Sequence, residues 1–135
     1  MDFAKIAAES DRLIEAFDIR TPSRHTPLKS LSGGNIQKLI LARELSRNPS
    51  VLVAAQLTRG LDVSATEYVH HRLIEQRQKG CATLLISEDL DEILNLSDRI
   101  AVIYEGRIMG IVERDDVDVE QIGLMMAGVS EQTAE

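Results

Sequence analysis

The segment from Leu31 to Lys38, Leu-Ser-Gly-Gly-Asn-Ile-Gln-Lys, constrains the fold most, because a serine and two glycines lead directly into a helical pattern. Ile36, Leu39, Ile40 and Arg43 fall at i, i+3, i+4 and i+7, and Leu41 and Leu45 widen the apolar side. Gly33 and Gly34 have no Cβ, so a ligand can approach the backbone closely there. A helical first turn leaves N–H groups unpaired and carries partial positive charge. With the Ser32 hydroxyl, the segment predicts half of a phosphate site. The alternative is an ordinary glycine turn in which Ser32 only caps the helix.

Composition limits the classes of protein to consider. A length of 135 residues argues for one domain at most, and 44% hydrophobic with 3% aromatic residues predicts a core of Leu, Ile, Val and Ala. The net charge of −7, with no basic run longer than a pair, argues against a nucleic-acid partner. No apolar run approaches the roughly 20 residues of a membrane span, and no signal peptide is visible. Cys81 is expected to be a small buried residue before a strand. The three histidines are not spaced with each other or with Cys81 as metal ligands are, so we expect no metal site.

Local patterns predict an α/β chain with five helices and four strands. The apolar run 51–55 predicts a strand covered on both faces, and strand–helix–strand through 82–87 predicts a βαβ unit. In the third helix, Ser64 and Glu67 form a capping-box pattern. The predicted helices are 3–17, 33 to about 47, 64–79, about 89–96 and a last helix that Asp118 caps and Gly128 ends. The predicted strands are 51–55, 82–87, 99–105 and 107–113, the last two forming a hairpin around Gly106.

Three segments together resemble the motifs of ABC-type ATPases. Residues 31–38 resemble the signature motif, residues 51–62 resemble the Walker B strand and D-loop, and residues 84–93 resemble the switch region. Their order and spacing match over nearly the whole chain. The resemblance implies an incomplete P-loop NTPase fold: a mostly parallel sheet flanked by helices, with a C-terminal hairpin and without the P-loop strand. It implies three regions: the end of a helical subdomain and a connecting loop (1–30), a partial ATPase core (31–128) and a disordered tail (129–135).

The chain departs from this family at the positions of catalysis. The sequence contains no G-x-x-x-x-G-K-[ST] motif, and Ala55 and Gln56 stand where the family has Asp-Glu. Ala55 cannot bind Mg²⁺, and Gln56 cannot take a proton from water. Glu88 stands at the switch histidine; it would repel phosphate there, and it also suits the first turn of a helix. We therefore expect no intact catalytic residue, no metal ligand and no ATPase activity from this chain alone.

In ABC ATPases each ATP lies between the P-loop of one unit and the signature of another. The resemblance therefore implies that Ser32, Gly33, Gly34 and Gln37 contact an ATP in trans, with Leu61 and Asp62 in the D-loop beside it. For Asp62 the alternative is helix capping next to Ser64. A helix terminus contributes at most about 2 kcal/mol to an anion. Micromolar affinity needs about 8 kcal/mol. ATP and Mg²⁺ are thus expected in the complete transporter and not on this chain alone.

Within the family, Ala-Ala-Gln-x-Thr-Arg-Gly-Leu-Asp at residues 54–62 resembles the second, degenerate half of ATP-binding subunits of sugar-type importers, the nucleoside importers above all. The expected partners are a second nucleotide-binding unit and membrane permeases, on the cytoplasmic, inner face of the cell membrane. The match begins inside the helical subdomain, so we expect a fragment whose strands 82–87 and 99–105 pair with each other, with a second molecule or in a swapped homodimer. One alternative is a non-transport ABC-type regulatory or dimerisation module. Another, an unrelated enzyme using Ser87, lacks a base for that serine.

Overall fold

The chain forms two compact units, the first ending at Ile86 and the second beginning at Ser87. A computed structural model describes residues 2–129. The first unit contains α1 (Phe3–Ala16), a 3₁₀ turn (Leu28–Ser30), α2 (Gly33–Leu45), β1 (Val51–Ala55), α3 (Val63–Gln78) and β2 (Ala82–Ile86). The second contains α4 (Leu90–Leu96), β3 (Arg99–Tyr104), β4 (Arg107–Glu113), a 3₁₀ turn (Arg114–Asp116) and α5 (Val119–Met126). All five helices and four strands predicted from the sequence are present.

Strands β1 and β2 form a two-stranded parallel sheet joined through α3. Val51 lies opposite Ala82, and Ala55 lies opposite Ile86. Cys81 is buried immediately before β2, as its position predicted. The predicted βαβ unit is therefore confirmed.

The core of the first unit lies where α2 and α3 meet the sheet. Its buried apolar side chains are Ile19, Leu41, Ala42, Leu45, Ala54, Val69, Leu73 and Cys81. On α2 the buried face is set by Leu41, Ala42 and Leu45, whereas Leu39 and Arg43 are exposed. Leu41 and Leu45, which the prediction placed on the widened apolar side, are buried, but the prediction is wrong for Leu39 and Arg43. The approach of α3, rather than local periodicity, decides which side of α2 turns inward.

One face of the β1–β2 sheet is uncovered. Val51, Val53 and Leu84 are 66%, 63% and 58% exposed. Their neighbours in each strand point the other way, and Ala54 is fully buried. The expectation that β1 is covered on both faces is wrong for this chain.

The second unit is a hairpin packed against α5. Glu105 and Gly106 join β3 to β4, and both have positive φ values, 46° and 76°. This matches a two-residue turn whose twist suits a hairpin. The buried core of this unit comes from β3 and α5, with Ile100, Val102, Ile122 and Met125, and the half-buried Met109 and Val112 of β4 pack against it.

Further expectations concern the pairing of the strands, the type of sheet and the C-terminal tail. β2 pairs with β1 and β3 pairs with β4 among the described residues, so direct pairing of 82–87 with 99–105, one of the three expected alternatives, is wrong, while pairing with a second molecule and a swapped homodimer stay predictions. The expected mostly parallel sheet is present as one parallel and one antiparallel pair. Of the tail predicted at 129–135, only Val129 is described, and its N–H donates to the Leu124 carbonyl at 2.9 Å. The rest lies outside the described residues.

Candidate functional site

The N-terminus of α2 has the geometry of the predicted half-site. Ser32 is the N-cap, and its Oγ accepts hydrogen bonds from the Asn35 N–H at 3.4 Å and from Asn35 Nδ2 at 2.9 Å. The first intrahelical bond runs from the Ile36 N–H to the Ser32 carbonyl at 2.9 Å. The N–H groups of Gly33 and Gly34 precede it, so the helix offers them no carbonyl. Ser32 thus caps the helix, as in the alternative interpretation, while the hydroxyl and two amides remain at an exposed terminus.

The N-terminus of α3 lies beside that of α2. A Cβ built on Gly33 would lie 4.0 Å from Leu61 Cδ2, and one built on Gly34 would lie 3.2 Å from Ala65 Cβ. The two glycines therefore differ: Gly34 lets α2 approach α3 closely, whereas Gly33 has room for a side chain. The structure brings the predicted signature residues together with the predicted D-loop residue Leu61. Gln37 is half-buried one turn further along α2.

Asp62 caps α3, as the alternative interpretation proposed. Its Oδ1 accepts a hydrogen bond from the Ala65 N–H at 2.8 Å. The capping box predicted for Ser64 and Glu67 is wrong, because α3 begins one residue before Ser64. A carboxylate at the cap competes well with a hydroxyl and also matches the positive end of the helix dipole.

The helices differ in how they begin. Among residues 2–129, α1, α3, α4 and α5 each begin on an aspartate whose side chain accepts a backbone N–H. Only α2 in that range begins on a neutral cap, Ser32. An aspartate brings its own negative charge to the helix terminus, whereas a serine leaves the partial positive charge available to another anion.

The end of β1 carries the residues predicted to replace the catalytic pair. Ala55 is the last residue of β1 and is exposed. Gln56 follows with φ of 51°, and its N–H donates to the Ile86 carbonyl at 2.8 Å. The methyl side chain of Ala55 offers no oxygen to a cation. Over residues 2–129 no cluster of three or more His, Cys, Asp or Glu side chains is arranged to bind a metal.

Glu88 belongs to the second unit and is exposed. It precedes Asp89, which caps α4 by accepting the Glu92 N–H at 3.1 Å. The prediction that Glu88 lies in the first helical turn is therefore wrong; Asp91 and Glu92 occupy it. Ser87 Oγ accepts a hydrogen bond from the Asp89 N–H at 3.0 Å, so it serves the turn before the helix.

Sequence reasoning missed a polar cluster at the end of α1. Lys38 Nζ donates to the Asp18 carboxylate at 2.7 Å and to the Asp18 carbonyl at 2.9 Å. Asn35 Oδ1 accepts from the Arg20 N–H at 2.8 Å. The hydrogen bond from Lys38, and then its charge, hold the pKa of Asp18 below its usual range. Both Asn35 and Lys38 lie within residues 31–38, but their partners are 15 and 20 residues away in sequence, which no local pattern reveals.

Three curated relatives match most of the chain. It is 55% identical over 122 residues to the guanosine import ATP-binding protein NupO of Bacillus subtilis, covering 90% of this chain and 24% of that protein. It is 51% identical over 128 residues to the nucleoside import ATP-binding protein NupA of Lactococcus lactis, covering 95% and 25%. It is 40% identical over 130 residues to the ribose import ATP-binding protein RbsA of Clostridium perfringens, covering 96% and 26%. The chain thus spans about a quarter of the length of the curated relatives it matches.

Solved structures share the fold. An ATP-binding subunit of an ABC transporter matches with a TM-score of 0.73 at 20% identity, covering 89% of this chain and 55% of that one. A dimeric ATP-binding cassette bound to ADP and Pi matches with a TM-score of 0.72 at 20% identity, covering 84% and 49%. No protein-family profile matches the chain. The predicted fold, an incomplete ABC ATPase cassette, is confirmed. Within residues 2–129, no helix has the length and apolar character needed to cross a membrane.

Proposed function

Since the chain is homologous over most of its length to the ATP-binding proteins of nucleoside and sugar importers, we propose that it supplies the signature half of an ATP site in such an importer. The P-loop of this site comes from another nucleotide-binding unit. The chain corresponds to the later part of the second, degenerate unit, because Ala55, Gln56 and Glu88 replace the residues of catalysis. In the complete assembly it lies at the inner face of the membrane, against permease subunits.

The observation that carries the proposal is the neutral N-terminus of α2. Ser32 and Gly33 are exposed there, and the hydroxyl and backbone amides suit the terminal phosphate of a nucleotide. The aspartate at the neighbouring α3 terminus makes that end a poor alternative for the same anion. The proposal therefore assigns the phosphate contact to Ser32, Gly33 and Gly34, with Gln37 further along the helix, and assigns Leu61 and Asp62 to the facing surface.

The energetics favour a shared site. One helix terminus contributes about 0.3–1 kcal/mol to a charged partner, and up to about 2 in favourable geometry. A micromolar complex needs about 8 kcal/mol. The remaining free energy must come from groups outside this chain that hold the other phosphates and the base. At the position where the family has an aspartate, the side chain of Ala55 has no oxygen to offer Mg²⁺, and the described residues hold no cluster of three or more His, Cys, Asp or Glu side chains arranged for a metal.

The test is association in trans. The chain is mixed with a separately purified nucleotide-binding unit that has an intact P-loop, and complex formation is followed by sedimentation velocity with and without a non-hydrolysable ATP analogue and Mg²⁺. We expect a complex only when nucleotide is present, and no nucleotide retained by the chain alone. Retention of nucleotide and metal by the isolated chain would contradict the proposal. Association of equal strength with and without nucleotide would instead favour a dimerisation module without a role in transport.

A further inference from the structure

Helix α1 contacts the rest of the first unit mainly near its C-terminal end. None of its residues is buried, and Phe3 and Ile6 near its start are 74% and 49% exposed. Leu13 and Ile14 near its end are half-buried. The residues that follow α1 are bonded by side chains from two other helices. We call this set of contacts, from Asn35, Lys38, Tyr68 and Arg72 to residues 16–20, the α1 anchor.

Helix α3 supplies half of the α1 anchor. The Tyr68 hydroxyl donates to the Phe17 carbonyl at 2.8 Å, and Arg72 Nη2 donates to the Ala16 carbonyl at 2.6 Å. The Arg72 guanidinium also lies 4.7 Å from the centre of the Phe17 ring. The last carbonyls of a helix lack intrahelical partners, and a cation there complements the helix dipole. These contacts bind the end of α1 to α3.

Helix α2 supplies the other half, and it does so from within residues 31–38. The Lys38 side chain is only 15% exposed, and besides its two bonds to Asp18 its Nζ lies 4.5 Å from the centre of the Tyr68 ring. Lys38 therefore bridges residue 18 and α3. Its charge is matched by the Asp18 carboxylate, so this lysine is committed to the anchor and not to a phosphate.

Asn35 links the anchor to the half-site directly. Its Oδ1 accepts the Arg20 N–H at 2.8 Å while its Nδ2 donates to Ser32 Oγ at 2.9 Å. One amide group thus joins the chain just after α1 to the hydroxyl at the start of α2. A shift of residues 18–20 therefore pulls on the group that orients the Ser32 hydroxyl.

We propose that Asn35 and Lys38 are positioning residues, which set the N-terminus of α2 according to the position of the end of α1. This rests on the proposed function, because the consequence is that nucleotide-dependent association senses the orientation of α1. In this arrangement Ser32 and the glycines contact the phosphate, and Asn35 and Lys38 act through them. A force on the exposed start of α1 would reach the phosphate contact through the α1 anchor.

The experiment uses the full chain with Lys38→Met and Asn35→Leu, which keep side-chain bulk and remove the polar contacts. Arg43→Met is the matched control, because Arg43 is an exposed cation on the same helix outside the anchor. Two quantities are measured: amide hydrogen exchange at residues 14–20 and 33–36, and the concentration of P-loop unit that gives half-maximal nucleotide-dependent association. We expect both variants to speed exchange in the two segments together and to raise that concentration about tenfold. The control should change neither.

Faster exchange confined to 14–20, with unchanged association, would overturn the inference, because the anchor would then be structural only. If Lys38→Met fails to fold, Asp18→Asn weakens the same contact from the other side and leaves α2 intact. If the wild-type chain shows no nucleotide-dependent association, the proposed function is wrong. The exchange measurement still tests the positioning role in that case. Faster exchange in 14–20 and 33–36 together supports it, and faster exchange in only one of the two segments contradicts it.

Discussion

The N-termini of α2 and α3 lie side by side but are built differently. α3 begins on the carboxylate of Asp62, which satisfies a backbone N–H and offsets the helix dipole with its own charge. α2 begins on the hydroxyl of Ser32, followed by two residues without side chains. Both are good caps, so stability alone does not explain the difference. The difference is one of charge and access: the Asp62 carboxylate disfavours an outside anion at α3, whereas the neutral, exposed start of α2 is where we propose that one binds.

The strongest test gives α2 the cap that α3 has. In Ser32→Asp, the helix stays capped, because serine and aspartate are similar N-caps. A carboxylate about 4 Å from a phosphate costs about 4 kcal/mol at an effective dielectric constant of about 20, partly offset by the dipole. We expect nucleotide-dependent association to weaken on the order of a hundredfold, with a Tm close to wild type. Ser32→Thr, which keeps the hydroxyl, is the control. Equal association of both variants would show that Ser32 only caps the helix.

Gly33→Ala tests whether a phosphate needs the space beside the backbone of Gly33, and it does so without changing the charge. A Cβ at Gly33 meets only Leu61, at an ordinary contact distance of 4.0 Å. Because alanine is the better helix former, the free energy of unfolding should rise by about 0.5–1 kcal/mol. The added methyl stands in the path of the proposed phosphate, so we expect association to weaken about tenfold, which corresponds to about 1.4 kcal/mol. Thermal unfolding measures the stability and sedimentation measures the association. The expected result is a variant that is more stable than wild type and yet associates more weakly.

Removal of the charge at α3 is expected to affect stability instead. Asp62→Ala deletes the bond to the Ala65 N–H, and loss of such a cap costs about 1 kcal/mol. Asp62→Asn, a cap of similar quality, should restore that free energy in urea unfolding. If Asp62→Asn remains as unstable as Asp62→Ala, the charge rather than the hydrogen bond maintains the α3 terminus.

Gly34→Ala should have a smaller effect on stability, because two contributions oppose each other. Its Cβ would meet the Ala65 Cβ at 3.2 Å, so α2 and α3 must separate slightly. The gain in helix propensity, up to about 1 kcal/mol, offsets part of that strain. We expect a change in unfolding free energy below about 1 kcal/mol. Because Ala65→Gly removes the clash but itself costs up to about 1 kcal/mol of helix propensity, the two changes are compared in a double-mutant cycle: Gly34→Ala should be more stabilising in the Ala65→Gly background than in the wild-type background. No difference between them would show that the helices relax freely.

The smallest effect concerns pH. Asp18 has a lowered pKa because Lys38 donates a hydrogen bond to it, so its contribution to stability is present above the unfolded pKa of about 3.9. As the pH falls below that value and through the folded pKa, the contribution is lost. We expect the urea midpoint to fall less steeply between pH 4 and about 2 in Lys38→Met than in wild type. If the urea midpoints of the two proteins fall in parallel with pH, protonation of Asp18 does not affect stability through its contact with Lys38.

The sequence predicted the elements that depend on neighbours along the chain. The apolar run at β1, the hairpin around Gly106 and the end of α5 just before Gly128 are all set by residues within a few positions. The half-site was predictable for the same reason, because a serine cap and two glycines determine a helix terminus locally. The cap of α3 is also a local feature, but the capping-box pattern placed it at Ser64, two residues after the observed cap Asp62.

Features set by distant residues could not be predicted in this way. The buried face of α2 depends on where α3 approaches, at Gly34 and Ala65. The α1 anchor joins residues up to 56 positions apart, as between Ala16 and Arg72. The apolar strand β1 predicted two covered faces, but the pattern of a strand does not state which elements cover it. Local chemistry therefore predicted the helix terminus at which we propose the phosphate contact, whereas the α1 anchor became visible only in three dimensions.

The bare face of the β1–β2 sheet has a consequence for handling the protein. Valine and leucine side chains that remain in water after folding attract the same side chains on other molecules. The yield of refolding from urea should therefore decline as the protein concentration rises. Cooling should recover much of it, because attraction between apolar groups weakens at low temperature.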